Sequence, residues 1–211
     1  MKDAWAADTL QVIRNLMERS AVYRRTLAPI CLAVGILGLA AGAFGWFQDI
    51  DTARGFAAYW MVVAGVALAL ALGVVRQQAL RDAEPFWSPP ARRVAQAMLP
   101  SLFAGVLAGL VILLPAWRDP LHAWWLPGAW MLTFGTATHA AGFFMPRGIK
   151  LFAWLFATLG AALLLYVNAR SYAAGMPSLR HAHAVMGLAF GGLHFAYGLY
   201  LAVTERRARR A

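Results

Sequence analysis

Six stretches of this chain, residues 27–47, 56–75, 94–114, 123–144, 151–168 and 183–203, contain no Asp, Glu, Lys or Arg. About twenty apolar residues, at 1.5 Å of helix rise each, cross the ~30 Å hydrocarbon core of a bilayer. A segment in lipid must satisfy its own backbone groups, and a run of this length does so as a helix. The pattern therefore predicts an all-α fold, a six-helix transmembrane bundle. Composition agrees, with 61% hydrophobic and only 13% charged residues, against about 25% charged in an average soluble domain. The connections are too short to hold a second fold. The expected organisation is a cytoplasmic amphipathic helix over 1–26, a transmembrane domain over 27–204 and a basic cytoplasmic tail over 205–211.

Charge placement sets the expected topology. Lys2, Arg14, Arg19, Arg24, Arg25, Arg76, Arg81, Arg92, Arg93, Arg147, Lys150 and the four arginines of the tail fall on one side of an alternating six-span path. Arg54, Arg118, Arg170 and Arg180 fall on the other. Basic residues are retained in the cytoplasm, so both termini are expected there, in a bacterial inner membrane. The same placement assigns the net charge of +10 to lipid headgroups rather than to nucleic acid, for which no binding motif is present. The bilayer is thus the first expected partner.

Residues 3–25 carry Leu10, Ile13 and Met17 at helical spacing among polar neighbours, the pattern of an amphipathic surface helix. Ile13 and Met17, with Trp87 in the Pro-rich connection 76–93, are the candidate docking residues for a cytoplasmic protein partner. The first residues lack a basic start, apolar core and small-residue cleavage site, so 27–47 reads as its own uncleaved insertion signal. The single cysteine, Cys31, permits no intramolecular disulfide and reads as buried packing.

Glycine and histidine carry the remaining pattern. Gly187, Gly191, His194 and Gly198 step by four, three and four, which places them on one α-helical face near mid-membrane. Gly128, Leu132, Gly135, His139 and Gly142 form a second such face, and Gly35, Gly38, Gly42 and Gly45 a third. Small-residue faces let helices approach closely. Left exposed they favour a homodimer; the same faces can also be consumed within the bundle. His139 and His194 are ionisable groups inside spans and therefore site candidates. His122, His181 and His183 read as polar rings clustered at the outer interface.

Function is less constrained than fold. No Asp or Glu lies within a span, which weakens an ion-coupled transporter. Nucleophile, zinc and phosphate-loop motifs are missing. The leading expectation is a non-enzymatic ligand-sensing or partner-binding membrane protein with a polar pocket around His194, Tyr197 close by and His139 a further candidate. One alternative is a redox carrier with haem held by His139 and His194, although the two differ by roughly 7 Å in expected depth. Another is a small-solute permease, for which Ser101, Thr133, Thr136, Thr138 and Thr158 are too scattered to draw a path.

Short motifs also resemble a known group. Ile13-Arg14-Asn15-Leu16-Met17-Glu18-Arg19-Ser20, the Trp87-Ser88 step, Arg92-Arg93, Pro100, Gly105 and Leu193-His194-Phe195-Ala196-Tyr197-Gly198 resemble, in order, the signature of a family of uncharacterised bacterial six-span integral membrane proteins. Tyr23-Arg24-Arg25 departs from the apolar continuation of that pattern. The resemblance implies the six-span fold and an association with a cytoplasmic regulator, and no activity.

Overall fold

The structure, a computed structural model, describes residues 27–83, 85–114, 119–145, 148–173 and 175–208. Every regular element among them is a helix. These are α1 (Leu27–Phe47), α2 (Ala53–Arg81), α3 (Pro89–Ile112), α4 (Pro120–Ala123), α5 (Trp125–Ala141), α6 (Gly148–Ala173), α7 (Leu179–Met186) and α8 (Leu193–Ala208). A π-helical segment, Gly187–Gly192, joins α7 to α8. The expected N-terminal helix, with Ile13 and Met17, lies outside the described residues.

Five helices are long and apolar enough to cross a membrane: Leu27–Phe47, Ala53–Arg81, Ala91–Ile112, Gly148–Tyr172 and Leu179–Glu205. The expected fourth run behaves differently. Asp119 caps α4 by accepting from the Leu121 N–H at 2.8 Å, the chain turns at Trp124, and α5 has only 17 residues. That is about 25 Å of helix, short of the hydrocarbon thickness on its own.

Close backbone approach organises the packing. α1 lies antiparallel on the rod made by α7, the π segment and α8. A methyl group added at Gly38 would lie 2.7 Å from Gly191 Cα, and one at Gly42 would lie 2.6 Å from Gly187 Cα. A second antiparallel pair joins α5 to α6, where a methyl at Gly135 would lie 2.6 Å from Ala157 N and one at Gly160 would lie 2.6 Å from Leu132 N. α3 meets α5 where Trp130 Nε1–H donates to the Gly105 carbonyl at 2.8 Å. The glycine faces of 35–45, 135 and 187–198 are consumed inside the molecule, so they give no support to a homodimer.

The helix ends meet in one apolar layer. Ala41, Trp60, Ile112, Trp124, Leu126, Val167, Leu179 and Met186 belong to a single buried cluster, drawn from the end of α1, the start of α2, the ends of α3 and α6, and the starts of α5 and α7. Successive long helices therefore run up and down. α2 joins this layer through the buried Ala53, Phe56, Ala57 and Trp60, with Tyr59 and Val63 packed against it. Beyond Val63 its apolar side chains are open, with Val66, Leu68, Leu70 and Leu72 exposed.

Candidate functional site

The π segment decides which residues of the last rod face which neighbour. Leu193 N–H bonds the carbonyl of Leu188, five residues back, so each turn there holds more residues than an α-turn. The face that starts at Gly187 and Gly191 consequently reaches the backbone of Phe195 and then Gly198, and all four lie against α1. His194, expected within that stripe, is turned away from it toward α5 and α6.

There the His194 ring is enclosed by four phenylalanines. Ring-centroid distances are 5.1 Å to Phe134, 5.2 Å to Phe152, 5.4 Å to Phe156 and 6.5 Å to Phe190. The residue is 6% exposed. Nδ1 lies 2.7 Å from the Phe190 carbonyl. A carbonyl only accepts, so Nδ1 carries the proton and Nε2 presents a lone pair. Tyr197, nearly one turn further on, stacks on Phe152 with centroids 4.5 Å apart and planes at 16°. Its hydroxyl is buried and without a partner. Gly148 faces that hydroxyl, and a methyl there would sit 3.5 Å from it. The arrangement thus makes the His194 imidazole and the Tyr197 ring neighbours of the same Phe152 ring in an otherwise apolar setting.

His139 belongs elsewhere. Its ring meets Phe143 at 5.9 Å and Trp154 at 5.5 Å, both edge-on. Trp154 is 57% exposed, whereas Phe152 and Phe156 are buried. The two imidazoles therefore address different faces of α6 and share no ring neighbour. This corrects the expectation of a shared haem iron, because the phenylalanines fill the space beside His194 that the macrocycle would need. The threonines draw no path either: Thr133, Thr136 and Thr158 bond carbonyls of their own helix.

The histidine that the sequence placed at the outer interface is the most enclosed of all. His183 is 0% exposed. Its Nδ1 accepts from Trp60 Nε1–H at 3.1 Å, and Nε2 faces the Ile50 carbonyl at 3.4 Å. Indole only donates, so this ring is the Nε2–H tautomer, opposite to His194. Phe56 and Tyr59 pack edge-on at 4.8 and 5.4 Å. Gly45 lies flat against the ring, which leaves no room there for a side chain. One signal was present: His183 precedes Gly187 by four residues and begins the stripe that meets α1. Around it a polar clasp closes this end. Arg180 Nε lies 3.0 Å from Asp49 Oδ1 and donates to the Trp46 carbonyl, while Asp51 accepts from Leu179 N–H at 3.2 Å at the start of α7.

The three outer histidines therefore do not act as one group. His181 is exposed and packs edge-on to Trp46 at 5.3 Å, and His122 belongs to α4. Among the described residues, no three His, Cys, Asp or Glu side chains gather to hold a metal ion. Trp87 is 55% exposed beside Phe86. Comparison with known proteins found no matching family model, curated protein or solved structure.

Proposed function

We propose that this chain is a six-span protein of the bacterial inner membrane, with both termini cytoplasmic, that binds a ligand or partner without catalysing a reaction. Its binding element is the pair His194 and Tyr197. The sixth crossing comes from α4, Trp124 and α5 together. From Pro120 to Ala141 they extend about 33 Å, enough for the hydrocarbon core.

The observation that carries the functional reading is the buried, unpaired Tyr197 hydroxyl, which shares the Phe152 ring as a neighbour with the enclosed His194 imidazole. A buried polar atom without a partner costs about 1–3 kcal/mol. A small hydrogen-bonding guest, or a rearrangement of the π segment that gives the Tyr197 hydroxyl a partner, recovers that cost. The site therefore has a reason to occupy two states of different stability. The state would be read out through the N-terminal helix, at Ile13 and Met17, and through Trp87. The resemblance of the N-terminal and last-span motifs to a bacterial six-span family fits this arrangement.

The test compares wild type with His194→Leu and Tyr197→Phe, each carrying a photo-crosslinking side chain at position 87 in native membranes. Both variants are expected to change the set of crosslinked neighbours. Crosslinks identical to wild type in both variants would remove the pocket from the function.

A further inference from the structure

A separate feature lies at the opposite end of α2 from Trp60. Ala69, Leu72, Gly73 and Arg76 line one side of an open cleft, and Phe86 from the following loop closes it. A methyl at Gly73 would meet nothing within 4 Å, so the floor is open. Along α2 the cleft runs from apolar to cationic over about 10 Å. Arg76 lines the cleft itself, and Arg81, Arg92 and Arg93 follow in the same connection and the start of α3; none of the four has an ion-pair partner among the described residues. The Asp82 carboxylate is engaged by Gln78 Nε2 at 2.8 Å, and Glu84 is the other acid of this connection. Phe86 and the exposed Trp87 pack against each other, as aromatic residues do at headgroup depth.

We propose that this cleft seats one anionic phospholipid, with its phosphate on Arg76 and the first part of an acyl chain on Ala69 and Gly73. A guanidinium matches a phosphate diester by paired, charge-assisted hydrogen bonds. The unbalanced arginines favour a lipid with net negative charge over a zwitterionic one. The inference is independent of His194.

Native mass spectrometry of the full chain in detergent, titrated with phosphatidylglycerol or phosphatidylcholine, tests it. One phosphatidylglycerol is expected to bind ahead of phosphatidylcholine. Arg76→Gln is expected to weaken it about fivefold, and Gly73→Leu, which fills the floor, at least as much. Arg54→Gln, at the other end of α2, is expected to leave it unchanged. Equal retention of the two lipids, or wild-type affinity in both Arg76→Gln and Gly73→Leu, would overturn the assignment. So would displacement of the lipid by glycerol phosphate at matched concentration, which would assign the cleft to a soluble phosphate.

Discussion

His183 and His194 are opposite tautomers, and in each case one neighbour dictates which. Trp60 can only donate, which fixes the lone pair of His183 at Nδ1; the Phe190 carbonyl can only accept, which fixes the proton of His194 at Nδ1. The two rings therefore answer differently to substitution. Trp60→Phe leaves Nδ1 of His183 buried and unpaired, and is expected to destabilise the protein by about 1–3 kcal/mol. His194→Phe gives up one hydrogen bond, from Nδ1–H to the Phe190 carbonyl, but leaves no buried imidazole nitrogen behind, and is expected to cost only about 0.5–1 kcal/mol. Unfolding in detergent, followed by loss of the tryptophan signal, measures both. Equal losses in the two variants would contradict the distinction drawn between a structural and a functional imidazole.

The long helices pair through missing side chains, and this is where sequence and structure agree most closely. The spacing of Gly35, Gly38, Gly42 and Gly45 showed a close-packing face. It did not name the partner, because that depends on a register between segments about 150 residues apart. The partner stripe was legible in part. Gly187, Gly191 and Gly198 meet α1, but the α-periodic step through His194 fails because the π segment widens the turn and brings Phe195 there instead. No local residue pattern announces that extra residue per turn. Gly160 was missed for a related reason: it stands alone in its run, and only the neighbouring Gly128 and Leu132 on α5 give it a role. The burial of His183 was not legible because its partners, Trp60 and Gly45, lie more than a hundred residues away. A matched pair of substitutions tests the zipper. Gly42→Ala puts a methyl into the Gly187 backbone and is expected to cost about 1–3 kcal/mol. Gly65→Ala, on the free face of α2 where nothing lies within 4 Å, is expected to be neutral or slightly stabilising through helix propensity. Thermal unfolding of the two variants side by side gives the comparison.

At the scale of the whole molecule, the number of crossings depends on α5. Five helices meet the length of a bilayer span unaided, and α5 does so only together with α4 across the turn at Trp124. Because the helix ends share one apolar layer, each further crossing reverses the side on which the chain emerges. The clasp of Arg180 with Asp49 belongs to the outer end in this arrangement. Asp49 is largely exposed and Arg180 partly so, so Asp49→Asn is expected to cost less than about 1 kcal/mol in the same unfolding assay. The basic residues collect at the other end, where the proposed phospholipid seat also lies. The most direct measurement is the accessibility of each terminus in intact cells. Single cysteines placed at residues 2 and 210 of a Cys31→Ala background are labelled with a membrane-impermeant maleimide. Six crossings predict that both cysteines are protected until the membrane is opened, while one at position 176 is labelled at once. Labelling of one terminus and protection of the other would mean an odd number of crossings and would contradict the six-span account.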